Sequence, residues 1–200
     1  MIGRTAVLAL LAPLAALPVG AQERPVLVPT RDAVVEYQVQ GSPRRPPMAV
    51  RVHLSAGRIR AEPADLPGYL IVDRAADRAM VVLSQQHVVF ELPLQAGPAS
   101  DYLPNARMTF TRRDEARVAG ESCTEWDVRT PEDRTARLCI TRDGLVLRGE
   151  GHDPQYGSGR AEAVSVAYAP QPAALFRPPP EFPRIPVPSF PAQADGRAPP

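Results

Sequence analysis

Apolar residues alternate with polar ones over most of this chain, and that period of two limits its fold more than any other feature. Between Asp32 and Ala169, segments such as VVEYQVQ (34–40) and AVRVHL (49–54) carry an apolar residue at almost every second position. This alternation is typical of half-buried β-strands, and helical periodicity is scarce. The sequence therefore predicts a mostly β fold with little helix.

Ten or eleven such strands, joined by hairpin-length turns, fill a predicted domain at residues 26–169. Sequential hairpins build an antiparallel meander, and a twisted sheet of this many strands curls instead of staying flat. We expect a single curved antiparallel sheet that forms a half-barrel or incomplete barrel.

Residues 78–90 are apolar on both faces of a predicted hairpin. One face is expected to hold Met80, Val82, Val88 and Phe90, and the other Val81, Leu83 and Val89. A one-layer sheet would leave one of these faces in water. We therefore expect a helix, the C-terminal tail or a partner to cover the hairpin, with a two-layer core as the alternative.

The N-terminus has the features of a secretory signal peptide. Arg4 precedes an apolar run at 6–19, and residues 19–21 fit a small-residue cleavage site. The run is short for a membrane span and contains prolines. We expect residues 1–21 to be removed and the protein to be periplasmic or secreted without a stable membrane anchor; an uncleaved anchor is the alternative.

Without residues 1–21 the chain carries 22 basic and 22 acidic side chains, and every basic one is arginine. A net charge near zero supplies no long-range attraction to nucleic acid, so a nucleic-acid partner is not expected. His53, His87 and His152 are widely separated and lack metal-ligand spacing. Neither a metal nor another cofactor is expected.

Both cysteines and the only tryptophan lie within residues 121–148. Two cysteines in an exported chain predict a disulfide, Cys123–Cys139. Pairing of strands 122–129 and 134–141 would set these cysteines directly opposite each other, on a polar face that also pairs Glu125 with Arg137 and Arg129 with Asp133. The other face would be continuous and apolar, formed by Trp126, Leu138, Ile140, Leu145 and Leu147.

No constellation of catalytic residues is apparent. Ser158, in GSG, lacks the strand-turn-helix context of a nucleophile elbow, and GHD at 151–153 is placed in a loop. The chain has no phosphate-binding loop, dinucleotide fingerprint or EF-hand loop. We therefore expect a non-enzymatic protein.

Residues 170–200 form a proline-rich tail with 11 of the 25 prolines. Such a segment favours extended polyproline conformations and is not expected to pair in a sheet. It also holds Phe176, Phe182 and Phe190, and a solvated linker rarely carries so many aromatics. We expect the part up to about Val187 to dock on the domain and the remainder to be disordered; a wholly disordered tail is the alternative.

Several quoted stretches carry a family resemblance: VPTRDAVVEYQVQG, GYLIVDRAADRAMVVL, VAGESCTEWDV with LCITRDGLVLR, and AYAPQPAALFRPPPEF. From Pro29 to about Phe182 the chain resembles a family of uncharacterised secreted proteins from alphaproteobacteria. That family in turn resembles the periplasmic lipoprotein-carrier (LolA/LolB-like) fold. The resemblance implies a curved, incomplete antiparallel barrel with an apolar cavity.

Two functions follow as hypotheses. The first is a periplasmic module that binds an apolar ligand, such as a lipid or the acyl chain of a lipoprotein; a packed core is the alternative for each wall residue. The candidate wall residues are Tyr37, Met80, Phe90, Met108, Phe110 and Trp126. The second is a cell-envelope protein that binds a protein partner through its Pro/Phe-rich tail.

Overall fold

The computed structural model describes residues 23–41, 46–94, 103–153 and 157–187. Within them, one short 3-10 turn, Ala173–Phe176, accompanies twelve strands. The strands are β1 (Ala33–Gln40), β2 (Met48–Ser55), β3 (Arg58–Pro63), β4 (Gly68–Asp73), β5 (Arg78–Leu83), β6 (Val88–Pro93), β7 (Thr109–Val118), β8 (Glu121–Arg129), β9 (Thr135–Ile140), β10 (Val146–Asp153), β11 (Gly157–Tyr168) and β12 (Arg184–Pro186). The predicted mostly β fold with little helix is confirmed.

All twelve strands belong to one sheet in the order β12-β6-β5-β4-β3-β2-β1-β11-β10-β9-β8-β7. Strands β1–β6 form one antiparallel meander on one side of β1. Strands β7–β11 form a second meander, and its last strand, β11, pairs antiparallel with the other side of β1. The sheet is not closed into a barrel, although β7 approaches β11 to within 8 Å between Cα atoms. The single, incomplete antiparallel sheet is therefore as predicted.

The last strand departs from the expected antiparallel pattern. β12 pairs with β6 in parallel, so the expectation that this proline-rich segment stays out of the sheet is wrong. The carbonyl of Pro183 accepts from the Val89 N–H at 3.0 Å, and the Val187 N–H donates to the Glu91 carbonyl at 2.8 Å. Proline is tolerated here because an edge strand needs ladder hydrogen bonds on one side only.

The disulfide Cys123–Cys139 is confirmed, with the two Cα atoms 5.4 Å apart, but the hairpin register differs from the expected one. Cys139 lies opposite Glu125, two residues further along β8. The cause is the turn: Thr130 pairs with Arg134 across a three-residue loop, and Asp133 adopts a positive φ of 61°. The turn is centred on Glu132, one residue later than the expected pairing requires, and this displacement moves the partner of Cys139 by two residues along β8.

The changed register replaces the expected ion pairs. Arg137 lies opposite Asp127 and donates from Nε to its carboxylate at 3.0 Å, so the expected pairing of Arg137 with Glu125 is wrong. Glu125 instead accepts a hydrogen bond from Arg148. The expected contact of Arg129 with Asp133 is present, within the turn.

The cysteines do not lie on a polar face. They are 2% and 1% exposed and pack in a core cluster with Leu145 and Leu147. Trp126 and Ile140 belong to a second cluster, so the expected continuous apolar face of Trp126, Leu138, Ile140, Leu145 and Leu147 is wrong.

The turn between β9 and β10 explains this separation. Val146 lies opposite Ile140, and a bulge follows between Val146 and Arg148, so Leu147 is turned away from the side of Ile140. Gly144 has a φ of +93°, and a Cβ there would lie 2.9 Å from Cγ1 of Val26, so the turn requires glycine.

Candidate functional site

Strands β4–β6 present a cluster of apolar side chains that are only partly buried, which we call the β4–β6 apolar face. One cross-strand row joins Leu70, Val81 and Phe90, and the next joins Leu83 and Val88. Leu92 lies opposite Ala79 in a third row. The members of the face are Leu70, Val81, Leu83, Val88, Phe90 and Leu92, all of intermediate burial.

The opposite face of the same strands is buried at its centre. Ile71, Met80, Val82 and Val89 are at most 2% exposed and form one cluster, against which Phe182 packs. One sheet therefore has a face sealed by the chain itself and a face that retains accessible apolar surface.

The segment 170–187 covers this buried face, and polar and aromatic contacts hold the segment in place. Gln171 donates its N–H to Asp32 at 2.9 Å, and the Leu175 carbonyl accepts from Arg60 at 3.1 Å. Phe176 is 4% exposed. The ring of Phe182 meets that of His87 edge-on, with centroids 5.0 Å apart. The third predicted docking residue, Phe190, lies outside the described residues.

The six predicted wall residues are divided among several places. Phe90 lies on the β4–β6 apolar face, whereas Met80 lies on the sealed face. The expectation that these two share a side with Val82 and Val88 is wrong, because the turn after β5 sets Val81 opposite Phe90 and Val82 opposite Val89.

The other four wall residues lie in two clusters elsewhere in the sheet. Met108, Phe110 and Trp126 pack together, and the Phe110 and Trp126 rings meet edge-on at 6.3 Å. Tyr37 packs against the cluster that contains the cysteines, and its hydroxyl donates to the Val146 carbonyl at 2.6 Å. Burial raises the pKa of Tyr37, so this hydroxyl keeps its proton.

An arginine stands beside the β4–β6 apolar face at the turn after β4. Arg74 donates from Nη1 to the Pro104 carbonyl at 2.8 Å, while its buried Nε has no hydrogen-bond partner. Burial lowers the pKa of Arg74. Leu103, which precedes Pro104, packs with Val72 and Ala79.

A separate groove of about 840 Å³ lies at the opposite half of the sheet and is lined mainly by polar side chains. Asp127 contacts both Arg113, at 2.5 Å, and Arg137. Hydrogen bonds from Arg113 and then Arg137 hold the pKa of Asp127 below its usual range. None of the six predicted wall residues lines this groove.

The histidine and serine of the GHD and GSG motifs meet at the rim of this groove. His152 Nδ1 lies 3.1 Å from the Ser158 hydroxyl, and the two residues are opposed on β10 and β11. The expectation that 151–153 form a loop is wrong, because β10 continues to Asp153. Among the described side chains, no carboxylate contacts His152.

The described residues, 23–41, 46–94, 103–153 and 157–187, lack two further features. They contain no group of three or more histidine, cysteine or acidic side chains that could hold a metal ion. They also contain no helix with the length and apolar character required to cross a membrane.

Comparison with known proteins shows similarity in fold. No protein-family model and no curated protein matches the sequence. An uncharacterised conserved protein from Thermus thermophilus matches 79% of this chain and 91% of its own length, with 13% identity and a TM-score of 0.53. The PNGF-II structure matches 80% of this chain with 13% identity and a TM-score of 0.51.

The match to PNGF-II covers 31% of that protein, so this chain spans about a third of its length. A putative outer membrane lipoprotein-sorting protein domain from Vibrio parahaemolyticus matches 73% of this chain and 89% of its own length, with 10% identity and a TM-score of 0.42. At these identities only the fold is compared, and no property of these proteins is assigned to this chain. Membership of an alphaproteobacterial secreted family stays a prediction.

Sequence reasoning missed most of the β4–β6 apolar face as a possible site. The apolar character of residues 78–90 on both faces is the available signal, but of the members of the face only Phe90 is among the predicted wall residues. Arg74 is not among the predicted site residues, although the sequence YLIVDRAADRAMVVL shows an arginine between two strongly apolar strands.

Proposed function

We propose that this is an exported, non-enzymatic binding protein that holds an acyl chain on the β4–β6 apolar face. The observation that carries the proposal is the asymmetry of strands β4–β6. Their tail-covered face is at most 2% exposed at Ile71, Met80, Val82 and Val89, whereas Leu70, Val81 and Phe90 opposite remain partly accessible.

The size and chemistry of the face support an acyl chain as ligand. The face is roughly 10 Å wide across three strands, which are spaced by about 4.8 Å, and roughly 14 Å long, because it covers four residues along each strand at about 3.4 Å per residue. Binding of an apolar chain would remove this area from water, which stabilises a complex by roughly 25 cal/mol for each Å² buried. Small-molecule sites are lined mainly by apolar side chains, as this face is.

The second hypothesis, a protein partner bound through the tail, has less support. Phe176 and Phe182 already pack on the sheet, and β12 already uses the β6 edge. A partner that needs these aromatic side chains would first have to displace the tail.

The full chain, purified without detergent, tests the proposal in a titration with a fluorescent acyl-chain probe. Saturable binding is expected, with at least about a tenfold loss of affinity in Val81→Asp, because a carboxylate would be placed in the middle of the face. Val164→Asp is the matched control, since Val164 is 57% exposed on β11. Absence of saturable binding, or an equal loss in both variants, would contradict the proposal.

Export is tested separately, by N-terminal sequencing of the protein recovered from the periplasm of a bacterial host. The expected first residue is Gln22. A product that retains residues 1–21 would contradict the predicted cleavage.

A further inference from the structure

Arg74 has an unusual electrostatic environment. Its ion-pair partners are absent from the described part of the chain: no carboxylate there lies within 4.0 Å of its guanidinium group. Its one hydrogen bond is to the Pro104 carbonyl, and its Nε is buried and unsatisfied. Arg78, four residues later, also has a buried Nε without a hydrogen-bond partner, but it differs from Arg74 in its ion pair, with Nη1 3.0 Å from the Glu91 carboxylate.

Two neighbouring acidic groups, those of Asp73 and Glu91, are directed elsewhere. The Asp73 carboxylate accepts the Ala76 N–H at 3.0 Å, within the turn. Glu91 contacts Arg78 and lies 3.9 Å from Arg184 of the tail strand. A partly buried charge without a counter-ion among the described residues is costly, so the Arg74 site favours the binding of an anion.

The location of Arg74 connects this charge to the β4–β6 apolar face. Side chains alternate along a strand, so Arg74 continues the side of Val72. Val72 clusters with Leu103, Leu70 and Leu92, and the last two belong to the face. The carbonyl that Arg74 binds belongs to Pro104, the residue after Leu103. Arg74 therefore follows the apolar face at the end where Val72 and Ala79, each 1% exposed, are already covered.

We propose that Arg74 binds the carboxylate of a long-chain fatty acid whose acyl chain lies on the β4–β6 apolar face. The planar guanidinium group offers its free N–H groups to two carboxylate oxygens at once, an arrangement that an alcohol cannot use fully. This inference rests on the proposed function and adds the class of head group to it. One guanidinium group without an ion-pair partner among the described residues matches one singly charged head group.

The test compares dodecanoate with dodecan-1-ol by calorimetric titration of the full chain, at pH 8 and without detergent. The chains are equal in length, so the apolar contribution is matched and the head group differs. Dodecanoate is expected to bind about tenfold to a hundredfold more tightly, as for a charged hydrogen bond. Equal affinities for the two ligands would overturn the inference while leaving the proposed function intact. No binding of either would overturn both.

The variant Arg74→Gln removes the charge and keeps a donor for the Pro104 carbonyl. It is expected to lose the preference for dodecanoate and to bind dodecan-1-ol as the natural chain does. Arg117→Gln is the matched control, because Arg117 is an exposed arginine that also donates to a backbone carbonyl, that of Gly120, at 3.1 Å. A preference retained in Arg74→Gln would overturn the inference. If that variant does not fold, the comparison of acid with alcohol in the natural chain decides alone.

Discussion

Cys139 lies directly opposite Glu125 in the β8–β9 pair, so its disulfide to Cys123 crosses the hairpin diagonally. Both cysteines are almost fully buried, among Leu145, Leu147 and other apolar side chains. The bridge is therefore part of the core and does not lie on a solvated strand face. The bridge is surrounded by packed apolar side chains, and this environment favours a structural role.

Removal of the disulfide is expected to destabilise the protein substantially. The bridge joins residues 16 positions apart, and closure of a loop of that length contributes about 3 kcal/mol on the entropic model. Cys123→Ala combined with Cys139→Ala should lower the free energy of unfolding, measured by urea titration, by about that amount. Reduced natural protein should behave like the double variant. Unchanged unfolding in both would show that the bridge adds no stability.

Gly68 is expected to tolerate no side chain. An added Cβ would lie 2.3 Å from the carbonyl oxygen of Val82, and neither group is the end of a flexible side chain. Gly68→Ala should therefore force a backbone shift at the β4–β5 pair and cost about 1–3 kcal/mol in the free energy of unfolding. Gly41→Ala is the control, because no atom lies within 4 Å of its added Cβ. Similar thermal midpoints for the two variants would contradict the prediction.

The docked tail is expected to stabilise the sheet through Phe182. Phe182→Ala would remove the ring that packs on Ile71, Met80, Val82 and Val89 and should cost about 1–3 kcal/mol. It should also speed proteolytic cleavage within residues 170–187. Ile185→Ala, at a position that is 44% exposed, should change stability by less than about 0.5 kcal/mol. Equal effects of the two substitutions would show that Phe182 does not anchor the tail.

Asp127 is expected to make stability depend on acid pH. Its pKa is depressed in the folded state by Arg113 and Arg137, so its stabilising contribution is complete above the unfolded pKa of about 3.9. That contribution is lost as the pH falls through the lower, folded-state pKa. The difference in urea midpoint between the natural chain and Asp127→Asn should therefore shrink between pH 7 and pH 2. It should also shrink in about 1 M salt, because these side chains are partly exposed. A difference independent of pH would contradict the assignment.

The fold class was predictable from local pattern because alternation acts over a few residues. Segments such as 34–40 and 49–54 carry their strand identity in their own sequence, and both lie within strands in the structure. The disulfide was predictable because Cys123 and Cys139 are the only cysteines in the chain.

The arrangement of side chains on faces was predictable only in part. The side of a strand that a residue occupies depends on the turn before it, and a turn that differs by one residue reverses the assignment. Phe90 was assigned to the same side as Met80, but the turn at 84–87 ends with His87 at a positive φ and sets Val81 opposite Phe90. For this reason the β4–β6 apolar face contains Phe90 but not Met80, although both are predicted wall residues.

The position of the tail on the sheet could not be predicted from the residue pattern of the sequence. Its prolines argue against sheet pairing, but the edge of β6 supplies an N–H and a carbonyl that match Pro183 and Val187. Similarly, the sequence shows that Arg74 lies between two apolar strands, but only the folded chain shows that no described carboxylate reaches it.

The sequence by itself determined the strands, the covalent bridge and the excess of apolar residues in β5 and β6, because these depend on residue type and short spacing. The tertiary structure decided which face of that hairpin the tail seals, which face retains accessible surface, and where the Arg74 charge stands. Those outcomes depend on strand register and on contacts between residues more than 80 positions apart, such as Phe182 with Met80. Such contacts form only when the whole sheet is assembled, so no local pattern contains them.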